Sequence, residues 1–275
     1  MGVRLMSAKV FIFTALPCEA QPLVAHFKLV KNVTVLPFAV YANQHICLTV
    51  TGVGKAAMAA GVAYSAALWA GDASPVMVNV GIAGHRDQPL GRLFLADKLI
   101  DADSRKNFYP GLVFTPPCPT GAVQTASTPQ LAYDHAYLAD MEATAFYETA
   151  ARFTAAELIV CLKVVSDNLQ SSVAALNPKQ VSGLIAGQLP TIAGVLETVA
   201  AVAGSIHHPE PLCYDDWLNE YRFSAQERLQ LKTLLSRWEL ISGSQPLKPD
   251  KSSLRSGKDL LRWLDLQINN MPFYL

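Results

Sequence analysis

Five short runs of β-branched and aromatic residues set the frame of this chain: KVFIFTA (9–15), HICLTV (45–50), VMVNVGIA (76–83), RLFLADKLI (92–100) and ELIVCLKVV (157–165). Their near-continuous apolar character predicts buried strands. Between and after them, 55–69 is alanine-rich with no interior proline, and 141–153 and 178–203 have helical length and composition. The last of these opens with Asn177 as N-cap and Pro178 at the first helical position. Strands that feed helices predict an α/β fold with a sheet covered on both faces. Near residue 210 the pattern changes: 214–240 carries Leu229, Leu231, Leu234, Leu235 and Trp238 among charges, and a polar, proline-containing linker (242–253) precedes LRSGKDLLRWLDLQI. The expected organisation is a domain over 1–210 and a two-helix appendage over 211–275 packed on the core.

Composition narrows the function. With 275 residues, 51% hydrophobic and 16% charged, the chain can bury one large core, or a core and a small appendage, and most of it cannot be disordered. Lys and Arg total 22 and so do Asp and Glu, so no overall field draws in nucleic acid or an anionic membrane, and a small ligand is expected. The basic residues of the appendage alternate with acids, as on a solvated amphipathic helix. Five scattered cysteines without a CxxC argue against a disulfide framework and a structural zinc site, which suits a reducing cytoplasm. KVFIFTA is too short to span a membrane and no small-residue cleavage site follows it, so it reads as a first strand. The apolar stretch 181–206 is interrupted by Gln188, Pro190 and Glu197 and reads as a core helix. His26, His45, His85, His135, His207 and His208 show no metal-ligand spacing, and there is no GxSxG elbow.

GVGKAA (52–57) satisfies a loose dinucleotide fingerprint after a strand. The next strand, however, ends in Gly-Ile-Ala-Gly where an acid should hold the ribose hydroxyls. It is no P-loop either, because position 49 is threonine and Lys55 is followed by alanine. The glycines then serve to turn a strand tightly into a helix.

ALPCEAQPL after the first strand, TGVGKAAMA after a middle strand, VNVGIAG ending another, DMEATA opening a helix and KVVSDN closing a late strand are arranged as in the nucleoside phosphorylase/nucleosidase superfamily. The chain resembles its hydrolytic branch, the methylthioadenosine/S-adenosylhomocysteine nucleosidases, over roughly residues 9–203, with DMEATA and VVSDN the most specific part. The resemblance implies a three-layer α/β/α fold around a mixed, partly closed sheet, with the appendage outside it. It also implies a homo-oligomer, a dimer, acting on a small-molecule nucleoside with water and without cofactor or metal.

The chemistry of N-ribosidic cleavage needs a grip on a vicinal diol, a cover for an electron-poor sugar, a proton for the departing base and a nucleophile. By resemblance Glu142 accepts hydrogen bonds from both ribose hydroxyls. Met141 lies against the sugar with a sulfur that makes no competing hydrogen bond, and Ile82 and Gly84 of VNVGIAG border the substrate. Asp167 protonates or hydrogen-bonds purine N7, and Glu19 positions and deprotonates the attacking water. Each has a plainer reading: Glu142 as an acid at a helix N-terminus, Asp167 as a strand-end turn residue, and Asn168 as either a support for the Asp167 carboxyl or the cap of the next turn. Phe108 and Tyr109 either flank the pocket or form an exposed aromatic turn.

Several positions depart from the family pattern. Asn79 stands where the hexameric purine phosphorylases carry an arginine, and Ile82 where a serine or threonine is usual, which removes phosphate ligands and favours hydrolysis. Arg86 and Lys55 lie near enough in sequence to restore a cation. Lys163 replaces the nucleosidases' arginine and lacks its planar fork. GAVQTAS (121–127) resembles the base-contacting strand without the Gly-Asp-Ala-Phe pattern. Phosphorolysis and a catalytically idle nucleoside-binding or scaffold role stay open beside hydrolysis.

Overall fold

The computed structural model describes residues 10–34, 37–69, 75–130, 132, 136–171, 176–206, 211–242, 247–249 and 254–271. His135, His207, His208 and most of the 242–253 linker lie outside them. The described chain divides into two compact units, Met1–His207 and His208–Leu275.

Among its described residues the first unit holds ten strands: β1 (Val10–Thr14), β2 (Val30–Asn32), β3 (Ala39–Ala42), β4 (Ile46–Val50), β5 (Val76–Gly84), β6 (Leu93–Asp101), β7 (Asn107–Phe108), β8 (Thr120–Thr125), β9 (Leu138–Asp140) and β10 (Ile159–Asp167). Its helices are α1 (Pro17–Phe27), α2 (Lys55–Trp69), α3 (Ala143–Ala150), α4 (Pro178–Ala186) and α5 (Leu189–Ile206). β5 and β10 run parallel, and β10 continues through β6, β8 and β9 back to β5, which closes a ring at the single pairing Gly84↔Ala139. On the other side of β5 the sheet extends through β1, β4, β3 and β2, so it is mixed and partly closed.

Alternation along the strands sorts the core into two layers. Val10, Ile12, Val78, Val80, Val160 and Leu162 face α1, α4 and α5, while Phe11, Phe13, Met77, Ile159 and Cys161 face α2 and α3. Strands buried on both faces read as apolar runs, which is why all five sequence runs emerge as strands. Burying one such aliphatic side chain is worth about 1.5–3 kcal/mol.

Two helices differ from their sequence limits. The expected 178–203 helix is broken at Gly187 and Gln188 into α4 and α5. Pro190 has no N–H to return to the preceding turn, so the second helix starts afresh there. Asn177 and Gln180 do cap α4 reciprocally, each accepting the other's N–H at 3.0 Å. By length and composition α5 is long and apolar enough to cross a membrane, but Ile192, Val195, Leu196, Val199 and Ala203 bury one stripe of it in the first core layer. Helix α3 begins at Ala143, so Met141 and Glu142 sit in the bend before it.

Among its described residues the second unit contains three helices rather than two: α6 (Tyr214–Glu220), α7 (Ala225–Ser242) and α8 (Gly257–Asn270). The long amphipathic segment breaks at Tyr221, after which Phe223 turns inward against Gly257, where any Cβ would fall 2.5 Å from the ring. Trp217, Leu231, Leu234, Leu235, Leu260 and Leu264 make its core.

Candidate active site

Strand ends of the first unit, and the turns that follow them, surround a cleft of about 170 Å³ lined by Glu19, Ile82, Gly84, Met141, Glu142 and Asp167 among others. A second hollow of about 100 Å³, bordered by Phe11, His45 and Trp69, has no Asp, Glu, Lys or Arg among its lining residues.

Glu19 is placed by the start of α1, where Pro17 begins the helix. Its Oε2 accepts the N–H groups of Ala15 and Leu16, both at 2.9 Å, and its Oε1 accepts that of Ile82 at 3.0 Å. Ile82 therefore contributes its backbone to Glu19 as well as its side chain to the cleft wall. Burial pushes the Glu19 carboxyl up; the three amides and the nearby Lys163 ammonium oppose this without cancelling it. Gly81 makes the arrangement possible, because a Cβ there would lie 3.1 Å from Glu19 Oε1 and 3.3 Å from Lys163 Nζ.

Lys163, in the middle of the apolar strand β10, is 1% exposed. It pairs with Asp140 at 2.8 Å. Asp140 is held in turn by the Thr125 hydroxyl at 2.6 Å and by the N–H groups of Glu142 (3.2 Å) and Ala143 (2.8 Å). Asp140 thus satisfies the orphan amides at the head of α3. That leaves Glu142 free of capping duty. Its Oε1 accepts the Gly54 N–H at 2.7 Å. Burial above all, and then the neighbouring Asp140 and Glu19 charges, push its carboxyl up to about 7 against the opposing pull of Lys163 and the Gly54 amide. Lys163 itself is held well above the ordinary lysine range: burial works against its charge, but Asp140 and Glu142 outweigh that.

Asp167 closes β10. A bulge between Val165 and Asp167 shifts the pairing with β5 by one residue, so that both Ser166 and Asp167 reach the cleft. The Ser166 hydroxyl donates to Asp167 Oδ1, and the Asp167 carbonyl accepts the His85 N–H at 2.9 Å.

The cleft brings together Glu19, Ile82, Gly84, Met141, Glu142 and Asp167; it does not include Asn168 or Phe108. Asn168 Oδ1 accepts the N–H groups of Gln170 and Ser171, and its amide donates to Gln88 O, which makes it the cap of the next turn. Ser166, not Asn168, touches the Asp167 carboxyl. Phe108 pairs in β7 with β6 and packs its ring 5.6 Å from Tyr147 in the second core layer, while Tyr109 is exposed. His85 lies beside the cleft: its Nδ1 accepts the N–H groups of Asp87 and Gln88, and its ring stacks on Phe94. Neither suggested cation lines the cleft. Lys55 is bound by Asp101 at 2.7 Å and Asp103 at 2.6 Å, and Arg86 by Asp87 at 2.7 Å.

Three further groups shape the site. Gly54 supplies the amide to Glu142, and Gly52 and Gly54 both need positive φ, 92° and 98°, to turn β4 into α2. Asp140 is marked in sequence by its place just before a helix, and Lys163, which stands where the nucleosidases carry an arginine, also by being a lone cation in an otherwise apolar strand. Pro129 and Gln130, after β8, also border the cleft. Among the described residues no group of three or more His, Cys, Asp or Glu side chains is arranged to hold a metal ion.

No family model matches the sequence, and no curated protein does. Solved structures do. The chain is similar to an Arabidopsis thaliana 5'-methylthioadenosine nucleosidase at TM-score 0.58 and 19% identity, over 70% of this chain and 96% of that one. A Neisseria meningitidis 5'-methylthioadenosine/S-adenosylhomocysteine nucleosidase in complex with methylthio-immucillin-A matches at TM-score 0.56 and 16% identity, over 69% and 99%. A Helicobacter pylori futalosine hydrolase mutant matches at TM-score 0.55 and 13% identity, over 68% and 99%. The chain has the nucleoside phosphorylase/nucleosidase fold.

Proposed function

We propose that this protein hydrolyses the N-ribosidic bond of a purine-type nucleoside, releasing the base and the ribose moiety. One observation carries the reading: Glu19, Glu142 and Asp167, from the start of α1, the bend before α3 and the end of β10, converge on one cleft although they are separated by 123 and 25 positions in the chain. Three acids with three different environments suit three different tasks.

Glu142, anchored through one oxygen to Gly54, presents its other oxygen to the sugar diol, and its charge favours the oxocarbenium-like sugar as the bond stretches. Met141 covers the sugar. The C1'–N9 bonding pair leaves with the base, and Asp167 donates a proton to N7, with Ser166 fixing which carboxyl oxygen is already occupied. The nucleophile is a water molecule held by the Glu19 carboxylate at the cleft wall. That water attacks C1' and passes its proton to Glu19, whose buried carboxyl holds protons more firmly than an exposed one. The pairing of Lys55 and Arg86 with aspartates elsewhere favours water over phosphate as nucleophile.

The reading extends to a small-molecule substrate and a homodimer, as the resemblance implies, and to a cytoplasmic setting, which the scattered cysteines suit. A panel of nucleosides incubated with and without phosphate tests the activity. Free ribose is the expected product; ribose 1-phosphate would establish phosphorolysis, and no base release would leave a binding or scaffold role.

A further inference from the structure

Outside the cleft, one cluster of charged side chains has no part in the mechanism above. Lys55, the first residue of α2, directly follows Gly54, and its ammonium lies 2.7 Å from Asp101 and 2.6 Å from Asp103. Asp101 is built in: its Oδ1 accepts the N–H groups of Asp103 (3.0 Å) and Ser104 (2.7 Å), and its Oδ2 also accepts the Thr144 hydroxyl at 3.0 Å. The Thr144 N–H donates to Thr125 Oγ1 at 3.1 Å, and Thr125 donates to Asp140, the partner of Lys163. A continuous polar chain therefore runs from Lys163 around the head of α3 to Lys55. Glu142 sits between its two ends.

We propose that Lys55 is a positioning residue for the ribose clamp: tied to Asp101 and Asp103, it pins the Gly52–Gly54 turn so that the Gly54 N–H holds Glu142 facing the sugar. Glycines with positive φ on both sides of Val53 give that turn wide backbone freedom, and a fixed anchor at its end removes it. The alternative role for Lys55, a cation for phosphate, conflicts with its two carboxylate partners. The proposal rests on the ribose-clamp reading of Glu142, so its test has one arm that needs no activity.

The variant is Lys55→Met, with Lys55→Arg as rescue. Because Lys55→Met leaves the mostly buried Asp101 without its counter-charge, Lys55→Met/Asp101→Asn is made beside it to keep a folded protein. In the first arm, amide exchange at Val53 and Gly54 should accelerate by about tenfold or more in both variants, while β5 and β10 stay protected. Lys55→Arg should restore protection. In the second arm, kcat/KM for a ribonucleoside should fall by roughly 10- to 100-fold, since a misplaced group costs on that order, with a smaller fall for the 2'-deoxyribonucleoside. In a Glu142→Gln background the Lys55 substitution should then add little, because it acts through Glu142. Unchanged exchange at Gly54 overturns the proposal whether or not the wild-type protein is a nucleosidase. So does an equal loss on both sugars, or a full additional loss in the Glu142→Gln background. A wild-type protein that releases no base, combined with faster Gly54 exchange in the variants, defeats the nucleosidase reading and leaves the anchor standing.

Discussion

Replacing Lys163 by methionine keeps an unbranched apolar stem and deletes the ammonium. In the folded protein that ammonium lies 2.8 Å from Asp140, with side-chain exposures of 1% and 0%. Asp140 cannot follow it out to solvent, because Thr125, Glu142 and Ala143 all donate to its carboxylate. Lys163→Met therefore strands a buried carboxylate beside two others, Glu19 and Glu142. Breaking one side of such a pair costs about 3–5 kcal/mol. Against a typical stability of about 5–15 kcal/mol the domain should still fold. Glu142, whose carboxyl already stands at about 7, loses the opposing Lys163 charge and takes up a proton more readily, at about 1.4 kcal/mol per unit of pKa shift, so the penalty should shrink as pH falls from 7.5 to 5.5. Lys163→Met/Asp140→Asn removes both charges and keeps an acceptor for the Thr125 hydroxyl. It should cost less than the single variant, about 1–2 kcal/mol. Urea denaturation followed by far-ultraviolet circular dichroism at the two pH values measures all of this. A single variant within 1 kcal/mol of wild type, or a double variant more destabilised than the single, would refute the idea that this ion pair organises the head of α3.

Glu142 supplies a pH test. Its folded carboxyl stands at about 7, above the 4.5 of an unperturbed glutamate, so the folded state keeps a proton that the unfolded chain has lost. Its contribution is fully present below about pH 4.5 and declines as pH rises through 7, by up to roughly 3 kcal/mol, and Glu142→Gln should remove that slope from a stability–pH curve. The same variant should penalise ribonucleosides more than 2'-deoxyribonucleosides in kcat/KM; equal losses would return Glu142 to a structural role. Asp167→Asn should lower turnover by about 10²- to 10⁴-fold while binding largely survives in calorimetry, and unchanged turnover would sink its assignment as the acid. Glu19→Gln should abolish base release with or without phosphate, whereas phosphate-stimulated release of ribose 1-phosphate by the variant would make the enzyme a phosphorylase.

The strands and acids were legible for different reasons. Runs such as VMVNVGIA and ELIVCLKVV are apolar because β5 and β10 are covered on both faces, so burial wrote them into the sequence. Glu19, Met141, Glu142 and Asp167 were legible through local motifs. What the motifs could not supply were partners distant in sequence: the Gly54 amide reaches Glu142 across 88 positions, and Lys163 meets Asp140 across the closed ring. Of the two readings open for Asn168, its hydrogen bonds support the turn cap, and Phe108 takes neither of its two, packing instead beside Tyr147. The bulge before Asp167 turns its successor into a cap, and β7 carries Phe108 into the second core layer. The break between α4 and α5 is written in Pro190, which interrupts the hydrophobic stretch and also ends one helix and starts another.

The closure of the ring at Gly84 and Ala139 also bears on how the molecule comes to fold. Residues on either side of that pairing border the cleft, and Glu19 reaches it from the far end of the chain, so the site has no local precursor. It is complete only when strands remote in sequence have found one another, a topology that folds slowly and pays its loop-closure entropy early. A ligand occupying the cleft therefore binds the finished ring and not the open chain. At a hundred times its dissociation constant it would add about 2.7 kcal/mol to stability, which makes the melting temperature of the protein a reporter for whichever nucleoside belongs there.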